Sequence, residues 1–232
     1  ECSSRQFRRR GGWGRRAGAS EPSGARRANQ MKFDIFRKPP AKHMYKLGAK
    51  DLRKTPPTPE TFKTIKRNPI YFILDNVLDT YNIGSIFRLG DAIAVEKIYI
   101  CGESEYPPSS RIHKAAVGTE EWVLWQKVEK VEEVVKVLKA QGVQIIAVEQ
   151  SPLSTPYSVL STKVKFPVAI VVGNETDGVS KEVLDLADVI VELPMFGVNK
   201  SFNVWGSCAV VAYKVIESLI WKPYRPRRRR FT

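Results

Sequence analysis

From Ile70 onward the chain alternates between short, wholly apolar runs and stretches whose apolar residues recur every three or four positions. Ile70-Tyr-Phe-Ile-Leu74 has the continuous apolar character of a strand buried on both faces. The same pattern recurs in Lys97-Ile-Tyr-Ile-Cys101, Val143-Gln-Ile-Ile-Ala-Val148, Val168-Ala-Ile-Val-Val172 and Val189-Ile-Val-Glu-Leu193. Between these runs the period lengthens. Asn82 to Ile93 reads as a helix with Ile86, Leu89, Gly90 and Ile93 on one side. Val131, Val134, Val135 and Leu138 form a second helical stripe, closed by Gly142 as a C-terminal cap residue. Ser180 to Ala187 and Asn203 to Trp221 predict two more helices, the last ended by Pro223. Strands separated by helices predict an α/β domain with a mostly parallel sheet flanked by helices. Ligands in such sheets bind beyond the carboxyl ends of the strands. The loops after Leu74, Val148, Val172 and Leu193 are therefore where a site is expected.

Composition divides the chain around this body. Residues 1–30 are rich in Arg, Gly and Ser and predict a disordered basic arm. Residues 31–68 form a basic extension ending in the Pro-punctuated linker Lys54-Thr-Pro-Pro-Thr-Pro-Glu60, residues 69–221 the folded domain, and residues 222–232 a basic tail. The total charge is +14, but residues 71–221 carry −6, so all of the positive excess sits outside the body. That layout suits a polyanion held by the arms and presented to a site on the body. Trp13, Tyr224 and Phe231 are interleaved with the basic residues, which favours a nucleic acid bound without choice of nucleotide; a solubilising tail is the alternative.

Other classes are excluded or weakened. Cys2, Cys101, Cys208, His43 and His113 lie far apart, so neither a disulfide framework nor a metal site is expected, and a reducing compartment fits. No apolar run is long enough to span a bilayer, and no membrane partner is expected. With no apolar signal segment the expected location is the cytoplasm. The Arg-rich N-terminus also resembles a mitochondrial transit peptide, although Gly11, Gly12, Gly14 and Gly18 weaken an amphipathic helix there. Met31 is a candidate natural start.

Three loops carry candidate chemistry. In Asn82-Ile-Gly-Ser-Ile-Phe-Arg88, Gly84 permits close backbone approach, and Arg88 in an apolar helix would be costly to bury without an anion. A surface Arg on a capped helix is the plain alternative. Val172-Gly-Asn-Glu-Thr-Asp-Gly178 is neither a dinucleotide fingerprint nor a phosphate loop. Its carboxylates repel a pyrophosphate but suit a ribose hydroxyl or a cation; Asp177 or Ser180 would serve equally as a helix cap. Leu193-Pro-Met-Phe-Gly-Val-Asn-Lys-Ser-Phe-Asn-Val204 ends in Ser-x-Asn at a helix start. It offers free backbone N–H groups and two neutral polar side chains, or simply a cap at Ser201 with Met195 as core filler.

In combination and in this order, NxGSIxR, VVGNExxG and LPMxGxxxSxNV resemble the SpoU (TrmH-like) class of SPOUT RNA methyltransferases, over roughly residues 68–221. The resemblance implies a C-terminal deep trefoil knot, a homodimer, S-adenosylmethionine as cofactor, and methylation of a ribose 2′-hydroxyl of tRNA or rRNA. It assigns Asn82, Arg88, Glu175, Ser201 and Asn203 to catalysis, and Gly173, Leu193, Met195, Ser201 and Val204 to the cofactor. Phe202, where the family usually has Leu, and Trp205, in place of a small residue, depart from the pattern without removing a catalytic group. Arg88 keeps its proton, so it fits a phosphate clamp and alkoxide stabiliser better than a base. For the dimer, Val204, Val211, Val215 and Leu219 supply a stripe, with Trp205 and Trp221 adding area; the stripe would equally cover the subunit's own sheet. A non-catalytic RNA-binding or ribosome-assembly protein that keeps the knot is the rival function.

Overall fold

The computed structural model describes residues 46–220. The expectations for both basic arms and for Trp221 lie outside the described residues. Two short helices, α1 (Ala49–Leu52) and α2 (Pro59–Thr64), precede a seven-stranded sheet ordered β3-β2-β1-β6-β4-β7-β5. In chain order its strands are β1 (Asn68–Asp75), β2 (Val95–Cys101), β3 (Trp125–Val128), β4 (Gln144–Val148), β5 (Thr155–Pro156), β6 (Val168–Val172) and β7 (Val189–Glu192). Every pairing between named strands is parallel. β6 lies at the centre, and all of its residues are buried, which is why its sequence shows no alternation.

Helices cover both faces. α3 (Thr80–Ala92), α4 (Ser110–Ala116) and α7 (Val204–Ile220) pack on one core, with Phe72, Leu74, Ile83, Phe87, Ile112 and Val211 buried together. α5 (Val131–Ala140) and α6 (Lys181–Leu186) cover the other, where Val134, Val135, Leu138 and Val183 meet Ile73, Ile145 and Val171. The five predicted strands and four predicted helices are present with end shifts of a few residues. Gly142 follows α5 with φ +79°, as a residue just past a helix end requires.

The Pro-rich linker is built differently from its expectation. Thr58 caps α2 by accepting a hydrogen bond from the Thr61 N–H at 3.2 Å. Arg67 then lies 4.8 Å from the Phe62 ring centre and donates to the carbonyls of Val95 and Trp122. Residues 58–67 are thus fastened to the body. α4, β3 and β5 lack a sequence signature because each is short and half-exposed: β3 reads Trp-Gln-Lys-Val, and β5 is two residues ending in Pro156.

α7 corrects the expected dimer stripe. Val211 and Val215 are fully buried and Val204 and Leu219 pack against the same core, so that stripe covers the subunit's own sheet. The face left open carries Trp205, Val210, Tyr213 and Ile220 instead.

Gly84 does permit a close approach, and its partner is α4. A β-carbon there would lie 2.5 Å from the Ala115 β-carbon, 2.7 Å from the Ile112 oxygen and 2.9 Å from the Ala116 nitrogen. Alanine ordinarily stabilises a helix interior by about 1 kcal/mol over glycine. Here overpacking against backbone reverses the sign. Gly84→Ala is expected to lower stability by about 1–3 kcal/mol, read as a lower urea midpoint at unchanged slope.

Candidate active site

The loop after β6 is held from both neighbouring strands. Asp75, at the end of β1 and 1 % exposed, accepts the Ser180 N–H at 2.8 Å. Glu149, directly after β4, accepts the next N–H back, that of Val179, at 2.9 Å. Two consecutive amides are therefore pinned by carboxylates from opposite sides. Within the loop, the Asn174 side chain accepts from the N–H groups of Thr176 and Asp177, and Asn174 and Gly178 exchange backbone hydrogen bonds at 2.9 and 3.0 Å. Gly173 has to be glycine, since a β-carbon would come within 2.1 Å of the Gly178 carbonyl. Ser180 stands at the N-cap of α6 without a side-chain cap bond, so neither Asp177 nor Ser180 uses its side chain as the expected cap.

Glu175, at the tip of this turn, ties the second motif to the first. Its carboxylate accepts the N–H groups of Leu78 and Asp79, both at 3.0 Å, and the Asn82 side-chain amide at 2.8 Å. The Asn82 oxygen in turn accepts from the Asn203 amide at 3.0 Å. Asn203 caps α7 by accepting the Trp205 and Gly206 N–H groups. An unbroken chain Glu175–Asn82–Asn203 thus joins all three motifs. Burial works to raise the Glu175 carboxyl, but the hydrogen bonds from Leu78, Asn82, Asp79 and its own N–H outweigh it and hold it below the usual carboxylate range.

Beside this chain opens a cavity of about 350 Å³ at the carboxyl ends of β4, β6 and β7. Gly173, Glu175, Leu193, Met195, Ser201 and Val204 line it, so every residue assigned to the cofactor lies on its wall. Its charged lining is Glu149, Glu175, Asp177 and Glu192 against Lys200 alone, a set that suits a cation and repels a polyphosphate. Its apolar wall is Leu193, Met195, Phe202 and Val204.

Asn82 and Arg88 are separated by the helix they share. Asn82 is 2 % exposed with both amide atoms engaged, which makes it a positioning residue. Arg88 is exposed, so it pays no burial penalty and needs no internal anion; it is not on the cavity wall of its own chain. Ser201 lines the cavity but does not cap α7. The loop after Val148 carries none of the three motifs, yet Glu149 and Gln150 both line the cavity, and the Gln150 amide donates to the Lys200 carbonyl at 2.7 Å. A Glu-Gln pair directly after a buried strand was the available signal.

Thiol chemistry has no place here. Burial, reinforced by Asp75, pushes Cys101 up to about 12, and burial raises Cys208 as well. Among the described residues no group of His, Cys, Asp and Glu side chains is arranged to hold a metal ion.

An open, parallel α/β sheet with a polar cavity at its strand ends, bounded by three mutually bonded loops, defines an enzyme-type ligand site. The SpoU rRNA Methylase family model matches residues 69–213, more than half of the chain, and the chain belongs to that family. It is 29 % identical over 151 residues to a tRNA (guanosine(18)-2′-O)-methyltransferase of Aquifex aeolicus, covering 64 % of this chain and 69 % of that protein. The crystal structure of the A. aeolicus TrmH/SpoU tRNA modifying enzyme superposes with a TM-score of 0.60 at 27 % identity, over 73 % of this chain and 81 % of that one. The AdoMet-bound rRNA methyltransferase of Sinorhizobium meliloti superposes with a TM-score of 0.61 at 25 % identity, over 73 % of this chain and 61 % of that one.

The Glu175 tie has a pH signature of definite sign. A lowered carboxyl stabilises the loops above the ordinary carboxylate range and loses that contribution as pH falls through the folded value. The amide proton resonances of Leu78 and Asp79 are expected to titrate together with a midpoint below about 4.3. In Glu175→Gln, an amide can no longer accept from all three donors, and the titration should vanish with a stability loss of about 1–3 kcal/mol.

Proposed function

We propose that this protein is an S-adenosylmethionine-dependent RNA methyltransferase acting on a ribose 2′-hydroxyl of tRNA or rRNA. The observation that carries the reading is the hydrogen-bond chain Glu175–Asn82–Asn203, which unites three motifs far apart in sequence at the edge of one cavity. The names of the relatives, a tRNA and an rRNA 2′-O-methyltransferase among them, support the reaction and the substrate class.

The cavity fits the cofactor by its chemistry. The apolar wall of Leu193, Met195 and Val204 suits a purine, and the excess of carboxylates suits a molecule carrying a sulfonium and an ammonium. Gly173, Leu193, Met195, Ser201 and Val204 would hold it. When bound, S-adenosylmethionine supplies an electrophilic methyl group on a cationic sulfur. The chain's residues do the rest: Asn82 fixes Glu175 and Asn203, Ser201 lines the cavity from the third loop, and Arg88 clamps the RNA phosphate and stabilises negative charge on the hydroxyl oxygen as its proton passes to solvent water.

Arg88 lies outside its own cavity, so this role needs a second copy. Tyr81, Ser85 and Arg88 follow one another at helical spacing on α3, which packs beside α7. With Leu78, Phe202, Trp205 and Tyr213 they continue an exposed, largely apolar face. A homodimer through this face covers that surface and brings the partner's Arg88 towards the cavity mouth. The C-terminal part of residues 69–221 carries the family's trefoil knot, and the basic segments outside these residues hold RNA without choosing the nucleotide. The working location is the cytoplasm.

Calorimetry with S-adenosylmethionine tests the reading directly: micromolar or tighter binding is expected, and no binding points to the assembly-factor alternative. Arg88→Ala should lower methyl transfer to RNA about 10²–10³-fold with cofactor affinity unchanged; equal loss of both would make Arg88 structural. Light scattering at micromolar concentration should return a dimer mass for the native chain and a monomer mass for Trp205→Glu combined with Tyr213→Glu. A monomeric native chain refutes the dimer.

A further inference from the structure

The loop after β4 holds a carboxylate that neither the motifs nor the reaction accounts for. Glu149 lies on the cavity wall, and both its oxygens are fixed: Oε1 accepts the Gln150 N–H at 2.8 Å and Oε2 the Val179 N–H at 2.9 Å. Gly178, at φ +74°, makes room for it, because a β-carbon there would lie 2.1 Å from Oε2. Each oxygen keeps further acceptor capacity after its backbone bond. The other wall carboxylates are held differently. Glu175 is committed to Leu78, Asp79 and Asn82, while Asp177 and Glu192 have no side-chain hydrogen bond among the described residues. Glu149 is thus a preorganised acceptor whose two oxygens are both oriented by backbone before any ligand arrives.

Its position in the sheet says which part of a ligand it meets. The order β1-β6-β4-β7 puts Glu175 on the β1 side, where it bonds Leu78 and Asp79, and Glu149 on the β4 side. β7, the immediate neighbour of β4, leads into Leu193 and Met195, the apolar wall. A reacting sulfur belongs near the motif chain at Glu175, and a purine belongs against Leu193 and Met195. The group joining the two is a ribose, whose vicinal hydroxyls are two adjacent donors that match the two oxygens of a fixed carboxylate. The carboxylate of an amino-acid tail would be repelled there. An acidic side chain at a strand end accepting from ribose hydroxyls is also a recurrent solution in nucleotide-binding α/β sheets.

We propose that Glu149 is a specificity residue for the cofactor, accepting hydrogen bonds from its ribose diol while anchoring the loop after β6 through Val179. The assignment rests on reading the cavity as the S-adenosylmethionine site. It makes the site selective for ribonucleosides over deoxyribonucleosides in the cofactor itself.

The test is isothermal titration of the full chain, without RNA, with S-adenosylhomocysteine and its 2′-deoxy and 3′-deoxy analogues, for native protein and for Glu149→Ala. Native protein should bind each deoxy analogue about tenfold more weakly than the parent, the size expected for a hydrogen bond to a charged acceptor. In Glu149→Ala the parent should bind more weakly and removal of a hydroxyl should add no further loss. This non-additivity separates contact from loop anchoring, which would weaken all three compounds equally. If native protein binds all three with equal affinity, or if the variant retains the full deoxy penalty, the assignment is wrong. Absence of the deoxy penalty in the native protein overturns the assignment even if the variant does not fold. Failure of the native chain to bind the parent nucleoside overturns the cofactor reading and takes the assignment with it.

Discussion

The constraint on which the site depends is the double grip on the loop after the central strand. β6 is flanked by β1 and β4, and each neighbour sends one carboxylate to consecutive amides of the loop, Asp75 to Ser180 and Glu149 to Val179. The loop of residues 173–180 at the end of a buried strand would otherwise leave amides without partners, at about 1–3 kcal/mol for each buried one. Satisfying them with side chains from two different strands does more than stabilise. It fixes the turn relative to the sheet in two directions, so that Glu175 at its tip is delivered to one place. From there its bonds to Leu78, Asp79 and Asn82 set the start of α3, and Asn82 sets Asn203 and with it the start of α7.

Each of the three loops is therefore positioned by another loop, and none is positioned by its own strand alone. This explains why Asn82 is buried with both amide atoms engaged although it belongs to the first of the three motifs. Its chemistry is exercised inside the protein. Arg88 is the opposite case: further along the same helix, it is exposed and not part of the cavity wall. α3 packs closely on α4 through the Gly84 contact. One helix thus carries a buried residue that positions the loops behind it and a cation left at the surface.

The legible part of the sequence was the part whose physics is local. Strands buried on both faces announce themselves by continuous apolar runs, and α3, α5 and α7 by their stripes. The loops carrying the motifs could be located because they follow those strands. What escaped depends on long-range partners. The α7 stripe of Val211 and Val215 and the face of Trp205 and Tyr213 are both apolar, and only packing shows which is buried. Glu149 escaped because one Glu after a strand has no meaning until Val179 and Gly178 are brought beside it. α4 escaped because only Ile112, Ala115 and Ala116 of its residues are buried. Ser201 is the cap that the sequence suggests; the bonds from Trp205 and Gly206 assign the cap to Asn203 and leave Ser201 on the cavity wall.

Charge is divided as sharply as position. The cavity edge is ringed by Glu149, Glu175, Asp177 and Glu192, while residues 71–221 as a whole carry −6 within a chain of +14. Two of those carboxylates, Glu149 and Glu175, are also structural, since both accept hydrogen bonds from backbone amides. In the proposed reaction a cationic cofactor and a polyanionic substrate place opposite demands on one edge of the sheet. The cofactor's demand is met by groups that the loop architecture requires in any case. In that reading RNA is attracted by charge elsewhere in the chain, and the sequence carries its positive excess in residues 1–70 and 222–232. The net charge of −6 makes residues 71–221 a poor electrostatic target for RNA, and the carboxylates that order the loops add to that charge.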